Sequence, residues 1–134
     1  MRQIRTTVNL PMLYAAGMGL AYIGVGLYCF FAPDGLMAMW GAHIQTTAER
    51  IDIQATYGGL DLGVGLFVLW SLFIRGDTEG AVVAAALAVA GFALARGLAM
   101  AWAGEAGVHL GFFVFELVCA LLGFVAWRSL QGAA

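Results

Sequence analysis

The stretch Gln54–Arg75, QATYGGLDLGVGLFVLWSLFIR, decides the fold. It is apolar enough and long enough to cross a bilayer, which takes about 20 helical residues. Yet Gln54, Tyr57 and Asp61 recur at i, i+3 and i+7, a spacing that stacks side chains along one helical stripe. A central Asp costs roughly 2.5–3.5 kcal/mol on membrane-insertion scales, so it faces protein or water in preference to lipid. The rest of the chain has to supply partners for that stripe.

Composition outside the stretch points the same way. Of the 134 residues 63% are hydrophobic and only 10% are charged, far below the roughly 25% charged residues of a soluble domain. The membrane class follows. A net charge of −2, with no cluster of Lys or Arg, argues against nucleic acid as a partner. Cys29 and Cys119 lie in apolar runs without CxxC or Cys/His spacing and read as small buried hydrophobes. Nothing in the chain has the form of a nucleotide loop, haem ligand pair, metal motif or nucleophile–base pair. No catalytic residue, cofactor or metal is therefore assigned.

Four spans are expected, at about 9–32, 47–75, 80–103 and 108–130. Arg2 and Arg5 precede an apolar run, Leu10 to Ala32, that exceeds a signal-peptide core of about 7–15 residues. It reads as a retained anchor, and the chain as one membrane domain. Within this span Tyr14, Gly17, Ala21, Gly24 and Tyr28 share a face that would admit a neighbouring helix closely. Tyr14 reads as an interfacial anchor. After Pro33-Asp34-Gly35, the apolar Leu36–Trp40 segment suggests a short helix at the membrane surface. Thr46 and Glu49 have capping-box spacing, and Asp77-Thr78 caps the third span. Gly59 and Gly63 form a GxxxG pair, with Gly58 and Gly65 as further points of close approach. The fold class is thus all-α, an antiparallel four-helix transmembrane bundle with a short interfacial helix in the first loop. Arg2, Arg5, Arg75 and Arg128 fall at one side and only Arg50 flanks the other. The positive-inside rule then places both termini in the cytoplasm of a multi-pass protein of the bacterial inner membrane.

Depth brings the charges together. Arg96 lies near the far end of the third span and Glu116 about nine residues into the fourth, across the tight turn Gly104–Gly107. With Asp61 they fall roughly 10–15 Å below the outer surface at 1.5 Å per residue. Arg96 needs a counter-ion in so apolar a place, and Glu116, on the same hairpin, is the expected one. One cation with two carboxylates leaves an excess negative charge, met by a proton on Asp61, water, a cation or a basic ligand group. Tyr57 and Gln54 complete the polar centre, with His109 and Tyr28 at a possible rim; His109 is expected to face solvent at the interface.

Tyr57-Gly58-Gly59-Leu60, Gly63-Val64-Gly65-Leu66-Phe67, Ala95-Arg96 and Glu116-Leu117 together resemble the pattern of a bacterial integral-membrane family catalogued as domain of unknown function 4345. The resemblance runs from the first span to Leu130. It implies a four-helix membrane protein and brings no assigned activity.

Three functions remain in view. The first is an accessory or assembly subunit of a larger membrane complex or homo-oligomer, with membrane lipid around it and the charges merely locking helices in register. The alternative is a binding or transport module for a small amphipathic or lipid-like ligand held by Arg96, Glu116 and Asp61. The third is a membrane enzyme using a buried carboxylate as acid or base.

Overall fold

The computed structural model describes residues 9–132, and every regular element in it is helical. The N-terminal arginines that entered the orientation argument lie outside those residues. Four helices are long and apolar enough to cross a membrane: Leu10–Phe31, Thr47–Phe73, Thr78–Ala103 and His109–Gln131.

Helix α1 (Leu10–Phe31) starts where the Asn9 side chain accepts the Met12 amide at 3.1 Å, with Pro11 in the first turn. It stops at Phe31 because Ala32 precedes Pro33 and is pushed out of the helical region, at φ −130°. Pro33 then opens the short helix α2 (Pro33–Met39), the element expected in the first loop. Helix α3 (Thr47–Ile53) begins with the full capping box: the Glu49 amide donates to Thr46 Oγ1 at 3.1 Å and the Thr46 amide to Glu49 Oε2 at 3.0 Å. Arg50 forms a two-pronged ion pair with Asp34, each nitrogen 2.9 Å from its oxygen, tying α3 to the start of α2.

The second span is not one regular helix. Between α3 and α4 (Leu60–Phe73) the backbone widens into a π-helical turn over Gln54–Gly59. Helix α5 (Thr78–Ala103) is capped by Asp77, whose Oδ1 accepts the Gly80 amide at 2.7 Å, and ends on Gly104 at φ 73°. Helix α6 (His109–Gln131) completes the bundle.

Helix α1 packs mainly on α4, and α5 on both α4 and α6. The close-packed face of α1 is Ala15, Gly19, Tyr22, Gly26 and Cys29, a correction to the expected stripe. Gly17 and Gly24 have open space where a Cβ would stand, whereas one on Gly26 would lie 2.7 Å from the Leu62 nitrogen and 2.9 Å from the Gly58 oxygen. On the second span Gly58 and Gly65 are the close-approach residues; a Cβ on Gly65 would be 2.7 Å from the Gly19 oxygen, while Gly63 meets nothing. Backbone meets backbone along α1 and α4, as small residues in lipid permit. Tyr14 is likewise no interfacial anchor: its hydroxyl is buried against Gly123 of α6.

The two ends of the bundle differ. Ala15, Val68, Leu72, Ala81, Val82, Ala85 and Ala126 form a close-packed apolar core at the end where α1 begins and α6 finishes. Glu79 ties the same end together, accepting Trp127 Nε1 at 3.1 Å and Gln131 Nε2 at 2.6 Å. Toward the α2 end the helices part around a cavity.

Candidate functional site: an intramembrane cavity

The cavity measures about 540 Å³ and draws its walls from α1, α2, the second span, α5 and α6. That volume lies in the range of small-molecule sites, about 300–1,000 Å³. Most of the wall is apolar: Met18, Val25 and Cys29 from α1, Leu36 from α2, Val89 and Phe92 from α5, Phe112 and Phe115 from α6. Into it project Tyr22, Trp40, Tyr57, Asp61, Arg96 and Glu116.

Arg96 and Glu116 form a closed pair. Arg96 Nε donates to Glu116 Oε2 at 2.9 Å and Nη2 to Oε1 at 2.7 Å, the planar fork matched by a planar carboxylate. The third nitrogen, Nη1, lies 3.1 Å from His109 Nδ1. A guanidinium only donates, so Nδ1 accepts and the imidazole proton sits on Nε2. Phe112 lies beneath the guanidinium with its ring centre 5.3 Å from Cζ. His109 is therefore partly buried against Arg96 and does not stand free in solvent. The short α5–α6 turn brings it there, because His109 is the first residue of α6 and Arg96 is two turns from the end of α5.

Asp61 stands apart. It is only 6% exposed, lines the cavity, and has neither a hydrogen bond nor an ion pair among the described residues. Three charged groups thus share one cavity, but only two are joined. Tyr57 also lines it and meets Trp40 edge-on with ring centres 5.6 Å apart; Trp40 in turn lies 6.1 Å from the His109 ring. Trp40 so roofs the site between the second and fourth spans.

Two expected members lie elsewhere. Gln54 donates its amide to the Phe30 carbonyl at 2.7 Å, satisfying one of the last carbonyls of α1, which have no partner within their own helix. The π turn shifts the angular phase between Gln54 and Asp61, so the i, i+7 stripe of a regular helix does not hold across it. Tyr28 lies outside the cavity, with its hydroxyl over Gly35.

Two residues are gained. Tyr22 is 7% exposed, and its buried hydroxyl has no partner among the described residues; Trp40 Nε1 is buried and likewise unpartnered among them. Tyr22 was detectable in principle from Gly19, Tyr22, Gly26 and Cys29 at helical spacing, but α1 offers two small-residue faces and nothing local selects between them. Trp40 carried no signal beyond that of an interfacial aromatic.

The cavity has a side opening. Val25 on α1 and Phe115 on α6 both line it and remain 50% and 64% exposed. Ala21 and Gly111, on the same two helices, line it and are exposed too. At the other end α1 and α6 close together through Tyr14 against Gly123. Their seam is shut at one end and open beside the cavity.

The family described as Domain of unknown function (DUF4345) matches residues 12–127, most of the chain. The chain belongs to that family. The match takes in the second and third long helices whole, most of the first and fourth, and every charged residue of the cavity. No match was found among curated proteins or among solved structures. The family brings no activity to the cavity, so its chemistry has to be argued from the residues that line it.

Proposed function

We propose that this small multi-pass membrane protein binds an amphipathic molecule within the bilayer. The single observation that carries the reading is the cavity itself: about 540 Å³ of mostly apolar wall into which the carboxylate of Asp61 is set without a hydrogen bond or ion pair among the described residues. Buried polar groups are almost always hydrogen-bonded, and such a carboxylate in an apolar chamber is what a bound polar end would satisfy. The seam between α1 and α6 supplies a way in from the lipid, so the ligand is membrane-dissolved. Arg96, Glu116 and His109 frame the chamber, holding α5 to α6 while leaving the wall around Asp61 free.

Gly111→Leu tests this. Gly111 lines the cavity, and a Cβ there meets nothing within 4 Å, so a larger side chain narrows the opening without displacing protein. Native mass spectrometry of protein released from its membrane in neutral detergent should show a co-bound lipophilic species. Gly111→Leu should lose that species at unchanged thermal stability. No bound species on the parent, or the same species on both proteins, would refute the reading.

A second reading, an accessory subunit of a membrane complex or homo-oligomer, rests on a groove of about 320 Å³ between α4 and α5. Gly59, Gly63, Ala84 and Ala88 line it beside Phe67, and small residues of this kind admit a further helix. Gly63→Leu should then reduce recovery of any stoichiometric partner or second copy in mild-detergent affinity purification. For location we propose the bacterial plasma membrane with both termini cytoplasmic, on the arginine asymmetry of the sequence. Cysteine substitutions at Gln45 and at Arg75, labelled by a membrane-impermeant maleimide in intact cells, should react at the first site only.

A further inference from the structure

We propose that the cavity selects a positively charged head, an alkylammonium, with Asp61 as its counter-ion and Tyr22, Tyr57 and Trp40 as its aromatic surround. The inference rests on the binding reading above and specifies the ligand class. Three charged side chains line the chamber. Arg96 is bound on two nitrogens by the whole Glu116 carboxylate and on the third by His109. That leaves no cation in the wall free to take an anionic head. Asp61 is the charge left over, nine-tenths buried and unpartnered. A carboxylate in an apolar chamber attracts a cation strongly, because little solvent screens the pair.

The surrounding side chains fit the same head. An ammonium is held by the faces of Trp and Tyr rings, and aromatic surrounds with an acidic residue are the usual way proteins recognise it. Trp40 and Tyr57 both line the chamber and meet edge-on with ring centres 5.6 Å apart. Tyr22 lines the chamber with Asp61 and adds a third ring to the surround. The apolar remainder of the wall and the seam between Val25 and Phe115 accommodate an alkyl tail running out toward lipid. An anionic amphiphile finds the same apolar wall but meets Asp61 with like charge.

The test uses the full chain in dodecyl maltoside, with tryptophan fluorescence followed on titration with dodecylammonium, dodecanol and dodecanoate. The ammonium should bind about tenfold more tightly than dodecanol, a difference of one decade in affinity, and dodecanoate more weakly than either. Asp61→Asn should bring dodecylammonium and dodecanol to about equal affinity; comparing parent with variant cancels the probes' unequal partition into micelles. An unchanged preference in Asp61→Asn would overturn the proposal. If dodecanol binds and Gly111→Leu blocks it, but the three heads are not distinguished, the cavity reading stands and the ammonium assignment falls. If no probe binds, both fall. Should Asp61→Asn not fold, Trp40→Leu takes its place. It should weaken dodecylammonium several-fold more than dodecanol, and an equal loss would count against the assignment. Phosphatidylethanolamine, which carries the same ammonium, separates the two sources of ligand. Displacement of dodecylammonium in phosphatidylglycerol nanodiscs containing it identifies a lipid head, and no displacement identifies a free amphiphile.

Discussion

Glu116 offers both carboxylate oxygens to Arg96, at 2.7 and 2.9 Å, with the two side chains 12% and 19% exposed. Removing one partner leaves the other charged and largely buried, which costs about 3 kcal/mol or more. Arg96→Gln and Glu116→Gln should each lower thermal stability in neutral detergent by about that amount. The double substitution should recover much of the loss, because no lone charge remains. A double variant that loses as much as the two single variants together would mean that the pair is not the source of the cost. His109→Ala removes one neutral acceptor from Nη1 and should cost about 1 kcal/mol in the same measurement. Arg96 and Glu116 could be paired from the chain alone because the turn between their helices is short and their counts from it nearly match. His109 could not, since its contact depends on the way the first turn of α6 rotates toward α5.

Among the elements, the α1–α4 contact is set by glycines that leave no room for a methyl group. Gly26→Ala would press on the Leu62 nitrogen and the Gly58 oxygen, backbone atoms that cannot swing aside. The expected loss is about 1–3 kcal/mol from overpacking. Gly24→Ala, which faces open space, should not destabilise and serves as its control in thermal unfolding. At the α2 end, Arg50 hydrogen-bonds Asp34 and holds its carboxyl below the usual carboxylate range. A depressed folded pKa means that the stabilisation is complete above the unfolded value of about 3.9 and is lost as pH falls through the lower folded value. NMR titration of Asp34 should show this, with its midpoint moving up in Arg50→Gln. Both side chains are well exposed, so the effect on global stability should be small.

For the whole molecule, one end is filled with alanine and valine and the other is hollow. Amide protection follows local packing. Hydrogen exchange should therefore be faster around Tyr57–Asp61 and Val25–Cys29 than around Val68–Leu72 and Ala81–Ala85, and a bound ligand should slow only the first pair. Uniform protection along the bundle would argue that the chamber collapses in solution. The π turn belongs to this hollow end. It sets the phase at which Tyr57 and Asp61 reach the chamber, while Gln54 is left to cap α1.

The chain by itself determines its four spans, the capping residues at Thr46 and Asp77, the short helix after Pro33 and the pairing of Arg96 with Glu116. Each follows from local apolarity, local hydrogen bonding or a short turn. Which side of α1 is packed is a different matter. A membrane helix is apolar toward lipid and toward protein alike, so periodicity cannot separate the face of Gly19 and Gly26 from that of Gly17 and Gly24. Only the approach of one backbone to another decides it. The same holds for the chamber, the isolation of Asp61 and the unpartnered groups of Tyr22 and Trp40. These are properties of the space left between helices, and that space is defined by none of the helices alone.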